Sequence, residues 1–262
     1  MHISWKKTIV VTLDLVLGAY IIAAFGAFDT RNVARKVCTE VSIEIEDETT
    51  NGFITATEIK DRLDKAHLYP LSKLMPLVNT RTIEETLEQS PFVKQAECYK
   101  TEDGRVNIRL TQRLPILRIK AANGDDYYID DNHSIMPNSH YTSDLVIATG
   151  NISRWFAKNY VSYLAEELMA DDLWRHQIVQ INVLSDRGIE LVPRVGNHIV
   201  YIGQLPETKY VGQRKRLIDD YVSRKMDRLD KFYKYGLSQA GWNKYSYINI
   251  EFDNQIICKK RN

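Results

Sequence analysis

Residues 93–113 read VKQAECYK, TEDGR, VNIRLTQR, two β-prone runs around Asp103-Gly104. Asp-Gly between alternating apolar and polar residues is a strong hairpin signal, because these residues accept the positive φ that a tight turn needs. The hairpin gives meaning to what precedes it. Thr55-Ala-Thr-Glu58 has the form of a capping box, and Ile59, Leu63 and His67 or Leu68 recur behind it at helical spacing. Asn79 is a good N-cap for a second short helix with Ile83 and Leu87 on one stripe, and Ser90-Pro91 stops it. Farther back, CTEVSIEIED (38–47) alternates Val41, Ile43 and Ile45 against Ser42, Glu44 and Glu46, the pattern of a half-buried strand. The order is β-α-α-β-β. Two helices covering one face of a three-stranded sheet suffice for a small α+β domain.

Continuing toward the N-terminus, residues 8–28 (TIVVTLDLVLGAYIIAAFGAF) form the one long apolar run. It has about the length an α-helix needs to cross a bilayer core. The expected layout is a short cytoplasmic tail (1–7), a transmembrane helix (8–28) and a connection (29–37), with everything later outside the cytoplasm. A cleaved signal peptide is the competing reading, but the run is long for one, and Phe25 and Phe28 crowd the small residues a peptidase would need. Asp14 is the polar intrusion in the span. An ionised carboxylate there costs about 2.5–3.5 kcal/mol on insertion scales. Snorkelling, protonation and a polar group on a partner helix are all open to it.

On the C-terminal side, Pro115 should mark a domain border. LRIKA (117–121) and DYYIDD (126–131) are strands around Asn123-Gly124, Ile135-Met136-Pro137 closes the segment, and LVIATG (145–150) is a buried strand. Ser153 caps a helix bearing Phe156, Tyr160, Leu164 and Leu168. HQIVQINVL (176–184), IELVP (189–193) and NHIVYIG (197–203) read as a meander. A charged helix follows from about Glu207 to Tyr233, with Leu217, Tyr221, Leu229 and Phe232 as its apolar residues. YSYINIEF (245–252) and QIICKK (255–260) are the last strands, turned at Asp253-Asn254. The expected fold is α+β: a first domain at 38–114, then a mixed or antiparallel β domain with two helices at 115–262.

The chain carries 35 Lys and Arg against 34 Asp and Glu, so no basic surplus argues for nucleic acid. Cys38, Cys98 and Cys258 have no metal-ligand spacing and read as small apolar fillers. No nucleophile motif, metalloprotease motif or phosphate loop is present. His67, His133, His140, His176 and His198 are dispersed. Asp125, Asp126, Asp130 and Asp131 could offer oxygens to a hard cation, but a solvated turn whose carboxylates accept backbone N–H bonds is the simpler reading. No catalytic, cofactor or metal residue is assigned.

Four stretches together resemble the FtsQ/DivIB family of bacterial cell-division proteins, in its Bacteroidetes-like form. They are IEETLEQSPFVKQAE (83–97), GRVNIRLTQRLPILRI (104–119), YYIDDN (127–132) and SYINIEF (246–252). Gln112-Arg113-Leu114-Pro115 is similar to that family's strand-end "ER-x-P". YYIDDNH is similar to "yyID-x-x-G", with His133 at the glycine position, and SYINIEF to "yvDLRy", with Asn249 and Glu251 replacing Asp and Arg.

The resemblance implies a POTRA-like first domain and a single-pass inner-membrane scaffold at the division septum, without enzymatic activity or cofactor. It implies FtsB-like and FtsL-like partners, linked through them to septal peptidoglycan synthesis. The FtsB-like partner would add a strand along Phe252, Asn254, Gln255, Ile256, Ile257, Cys258, Lys259 and Lys260. Phe252, Ile256 and Cys258 would share one face, Gln255, Ile257 and Lys259 the other. Ile256→Pro should then remove a ladder donor, whereas changes at His133 or Asp130 should hardly matter. Exposed edges of the POTRA-like domain would offer a further docking surface. The rival readings are an anchored envelope enzyme, such as a peptidoglycan hydrolase, and a POTRA-bearing secretion component.

Overall fold

The structure is a computed structural model and describes residues 5–27, 36–46, 53–139 and 145–261. Helix α1 spans Trp5–Ala27, 23 residues. Its apolar side chains, Ile9, Leu13, Val16 and Ile22 among them, are exposed, as is Asp14. Among the described residues no helix is long and apolar enough to cross a membrane. Side chains of α1 are described at 5 and 9–23.

The chain divides into two compact units. The first takes described residues 5–27, 36–46, 55–90 and 95–111; the second takes 53–54, 91–94, 112–139 and 145–261.

In the first unit β1 (Glu40–Glu46), α2 (Ala56–Lys65), α3 (Thr80–Glu88), β2 (Val93–Lys100) and β3 (Arg105–Gln112) follow the expected order. The capping box is complete: Thr55 Oγ1 accepts the Glu58 N–H at 3.2 Å, and Glu58 Oε2 accepts the Thr55 N–H at 2.9 Å. Asn79 Oδ1 caps α3 through the Thr82 N–H at 3.2 Å. Ile59 and Leu63 on α2, and Ile83 and Leu87 on α3, are spaced by four residues and buried. Each stabilises by about 1.5–3 kcal/mol. Gly104 at the hairpin turn has φ +90°, which explains the glycine there.

The sheet order is β1-β3-β2, with β1 parallel to β3. Glu84 Oε1 accepts the Cys98 N–H at 2.7 Å, and Glu88 Oε1 accepts the Ala96 N–H at 3.2 Å. Four residues of helix rise about 6 Å, and two residues of strand about 6.8 Å, so the two spacings match. The Ala96 and Cys98 N–H groups at the outer edge of β2 are therefore taken by α3, so this part of the edge is not open as expected.

The second unit holds a nine-stranded sheet. Its strands are β4 (Pro115–Ala121), β5 (Asp126–Asp130), β6 (Ile135–Pro137), β7 (Ile147–Gly150), β8 (Ile178–Val183), β9 (Gly188–Pro193), β10 (Ile199–Gln204), β11 (Tyr245–Asn249) and β12 (Ile257–Lys260). Helix α4 occupies 154–170, including a π turn at Ala157–Val161. Then come α5 (Asp172–Gln177) and α6 (Val211–Phe232).

β8, β9 and β10 form the expected antiparallel meander, but the whole order, β12-β11-β10-β9-β8-β7-β4-β5-β6, does not continue it. β4–β7, β7–β8 and β10–β11 pair in parallel, because helices carry the chain back before β8 and before β11. His176 and Gln177, expected in a strand, end α5. The core stripe of α6 is Ile218, Val222, Met226 and Leu229, whereas Leu217 is exposed. One core joins that stripe to Phe156, Tyr160, Leu164 and Leu168 of α4 and to the strands.

A buried ion pair ties this unit together. Arg113 Nε donates to Asp130 Oδ2 at 2.7 Å, with the side chains 16% and 2% exposed. Asp130 Oδ1 accepts the N–H groups of Ser134 at 2.7 Å and Asn132 at 3.1 Å. The guanidinium also reaches the carbonyls of Pro91 at 2.8 Å and Ile135 at 3.3 Å. The expectations of a solvated Asp130 and of tolerance to change there are corrected: this carboxylate is a buried hub. Asp130→Ala should destabilise by about 3–5 kcal/mol, since it leaves a buried cation without its partner. Asp131→Ala, which loses the exposed pair with Lys94 and an exposed hydrogen bond from Asn132 Nδ2, should cost less than about 1 kcal/mol. Urea denaturation of both variants checks this, and equal losses would refute the role given to Asp130.

Candidate functional site

Among the described residues β12 pairs with β11 alone and forms the edge of the sheet. The register is Asn249↔Ile257, Ile248↔Cys258, Tyr247↔Lys259 and Tyr245↔Lys260. In an antiparallel ladder alternate residues turn their backbone groups toward the neighbour. Lys259 O accepts from Ser246 Oγ at 3.4 Å, and the Arg261 N–H donates to Lys244 O at 3.0 Å. Residues 259 and 261 thus face β11, and the backbone groups of Cys258 and Lys260 face the open edge.

Of the eight expected edge residues, four lie in the strand: Ile257, Cys258, Lys259 and Lys260. Phe252, Asn254, Gln255 and Ile256 precede it, because the chain is still turning from β11. Ile256 and Cys258 are part-buried against the core, whereas Phe252 is 45% exposed and does not share their face. Ile256 stands before the first paired residue, so a proline there removes no donor from the ladder with β11. Burial pushes the Cys258 thiol up, which suits an unreactive filler. Ile257 is 49% exposed on the outer face beside Lys259.

Two cations of α6 hold the turn that leads into the edge. Lys225 is buried, and its Nζ donates to Glu251 O at 2.5 Å and to Asp253 Oδ1 at 3.0 Å. Arg228 donates to Ile250 O at 3.3 Å and Gln255 O at 3.1 Å. The Lys225 hydrogen bond and charge hold the Asp253 carboxyl below its ordinary range. Asn249 closes the turn from the other side, with its Oδ1 accepting the Glu251 N–H at 2.8 Å. Lys225 and Arg228 were hidden in the sequence among the other charges of the helix. Their three-residue spacing on one face was the available signal.

The far end of β12 is held as well. Arg261 Nη2 donates to Asn197 O. Next to Asn197, His198 is buried and bonded through Nε2 to the Tyr233 hydroxyl at 2.7 Å. Burial, and then the Arg261 charge, lower the His198 pKa.

On the sheet face opposite the core a hydrogen-bonded row runs inward from this edge. The Tyr247 hydroxyl donates to Glu190 Oε1 at 3.1 Å, and Asn182 Nδ2 to Glu190 Oε2 at 2.8 Å. Thr149 Oγ1 donates to Asn182 Oδ1 at 3.2 Å, and Gln180 Nε2 to Thr149 Oγ1 at 2.8 Å. Burial and the Glu190 carboxylate push the Tyr247 phenol up. Sequence reasoning missed this row, because its members come from four strands.

Each carboxylate of the acidic cluster has a cation. Asp125 pairs with Arg154 at 3.0 Å and Asp126 with Arg118 at 2.9 Å. Lys94 stands 3.2 Å from Asp131, and Arg113 takes Asp130. Among the described residues no group of three or more His, Cys, Asp or Glu could hold a metal ion. His133 has φ +55°, the left-handed region that explains a glycine preference at this turn. Its ring meets Glu166 at 3.4 Å, and burial lowers its pKa. His140 lies outside the described residues.

A family model described as POTRA-like domain matches residues 36–111. A second, described as FtsQ/DivIB, C-terminal related, matches residues 114–259, more than half of the chain. No curated protein matches it.

Replacing Lys225 by Met should release the turn before β12. Amide protection at Ile257 and Lys259 should fall about tenfold or more, since a charged donor to two acceptors is lost. Hydrogen exchange reads this, and unchanged protection would refute the clamp. The buried imidazoles set a pH dependence. A histidine whose folded pKa lies below the ordinary value of about 6.5 binds fewer protons folded than unfolded. Its contribution to stability is complete above that value and is lost as pH falls through the folded one. The urea midpoint should therefore drop between about pH 8 and pH 5. His198→Phe should flatten much of the drop, with His133 supplying the rest. A wild-type midpoint constant over that range would contradict it.

Proposed function

The chain belongs to the FtsQ/DivIB family of bacterial cell-division proteins, and on that premise we propose that it is a membrane-anchored, non-enzymatic scaffold of the divisome. The proposed anchor is α1, whose 23 residues would rise about 34 Å, enough for a hydrocarbon core of roughly 30 Å. The exposed apolar side chains along α1 support this. The units that follow would lie on the extracytoplasmic side of the inner membrane, at the septum.

The proposed partner is an FtsB-like member of an FtsB/FtsL-like coiled-coil pair, held by strand addition to β12 and linking the scaffold to septal peptidoglycan synthesis. The observation that carries this reading is the open edge of β12, where the backbone groups of Cys258 and Lys260 face outward from a strand fixed at both ends. Ile257 would receive an apolar partner side chain, and Lys259 and Lys260 acidic ones. Phe252, Asn254 and Gln255 would border the entry of the added strand.

Lys260→Pro removes one edge-facing N–H and leaves the pairing with β11 intact. In pull-downs from membranes with the full chain it should weaken capture of a small coiled-coil membrane protein by about tenfold. Lys260→Ala, which keeps the N–H and loses only an exposed ion pair with the partner, should weaken capture much less, and circular dichroism should match in all three proteins. Equal capture by the proline variant would move the partner away from this edge.

A further inference from the structure

In the first unit the chain enters its domain along a loop. The Cys38 N–H donates to Lys73 O at 2.8 Å, the Ser72 N–H to Cys38 O at 2.9 Å and the Met75 N–H to Lys36 O at 2.8 Å. Val37 stands opposite Leu74 in this antiparallel bridge, so their side chains share a face. A single 3-10 turn, Met75–Leu77, follows, and three residues per turn bring Leu77 round to the side of Leu74. Val37, Leu71, Leu74 and Leu77 are all exposed, Leu77 at 74%. Pro70, Met75 and Val78 of the same loop are buried. The loop is thus fixed to the core, and its leucines face outward from a held backbone. A single exposed leucine means little, but a contiguous group marks a contact surface.

Two observations say what covers it. The first is charge. No Asp or Glu occurs from Lys65 to Ile83. Lys36 Nζ donates to Glu102 O at 2.6 Å, Lys100 Nζ to Met75 O at 2.6 Å, and Lys73 Nζ to His67 O. These acceptors are carbonyls, and among the described residues none of the three lysines has an ion pair. Leucines beside cations without counter-charges suit an interface with an apolar interior and a phosphate rim. The second is chain length. The nine Cα steps from Ala27, the end of α1, to Lys36 span at most about 32 Å. A bilayer that holds α1 is always within that reach of Lys36, so contact with it is intramolecular. A partner free in solution has no such advantage.

We propose that this loop is a second membrane contact, resting on the phospholipid bilayer that holds α1. Leu71, Leu74 and Leu77 enter the acyl boundary with Val37 beside them, and Lys36, Lys73 and Lys100 meet lipid phosphates. The contact rests on the anchor reading of α1 and uses no residue of β11 or β12. It fixes which side of the first unit faces the lipid.

The test places bimane on Ser72→Cys in the full chain, reconstituted in vesicles of phosphatidylethanolamine and phosphatidylglycerol that carry a doxyl-labelled lipid. The wild-type chain treated alike gives the background from its own thiols, of which Cys38 and Cys98 are buried. Quenching at Ser72 should exceed by about threefold that at Gln89→Cys, exposed at the far end of α3, since a tethered contact is occupied most of the time. Leu71→Ser, Leu74→Ser and Leu77→Ser together should reduce it to the Gln89 level with an unchanged circular dichroism spectrum, because all three leucines are exposed. Flotation of the same vesicles reads the anchor separately. A chain that floats but shows equal quenching at the two sites overturns the membrane contact and leaves the anchor, and one that does not float overturns both. A blue-shifted but unquenched bimane at Ser72 gives the patch to protein and overturns the contact as well.

Discussion

A carboxylate and a guanidinium withdrawn from water impose the strictest condition in this chain. Asp130 is almost fully buried beside Arg113, so each of its oxygens must be answered. The answers come from Arg113 before β4 and from the turn between β5 and β6. The same guanidinium closes on the carbonyls of Pro91 and Ile135. Such a pair adds little net stability over an apolar replacement, but half of it is worse than none. The condition is met only when the β4–β5 register, the turn and the start of β4 are all right at once. The pair therefore acts on which arrangement forms more than on how stable it is.

The same logic of answered polar groups distinguishes the sheet edges. At one end of the nine-stranded sheet, β6 is three residues long and finishes at Pro137, which blunts it. At the other end β12 is also short, yet it is braced. Lys225 and Arg228 hold the turn before it, and Arg261 holds the residue after it. An edge fixed in advance loses less freedom when another strand arrives, which is how preorganisation raises affinity without new contacts. The braces hold mostly backbone carbonyls, so they position the strand without taking up its side chains.

What was legible in the sequence was local. The Thr55–Glu58 box, the Asn79 cap, the turn at Gly104 and the two apolar stripes of the first unit lie within a few residues of their partners. The failures were non-local. Parallel neighbours such as β4 and β7 are joined only after intervening elements, and no dipeptide announces them. Arg113 and Asp130 stand in two recognisable motifs, but nothing in either says that they meet. In α6 the charges outnumber the apolar residues. Of the core stripe only Leu229 stands out in the sequence beside Leu217, Tyr221 and Phe232; Ile218, Val222 and Met226 do not, nor does the buried Lys225. The edge is located by resemblance, and the strand is shorter than expected because the turn from β11 extends through Asp253, Asn254 and Gln255 to Ile256.

Glu84 and Glu88 have a consequence of another kind. Both look like ordinary helix-surface glutamates, the positions where sequences drift most freely. Yet their carboxylates occupy the places a neighbouring strand's carbonyls would take along β2. A change to lysine at either would leave the helix intact and uncover a template for uncontrolled pairing between molecules, the first step of fibre growth. On this geometry the two glutamates would guard against aggregation more than they would add stability.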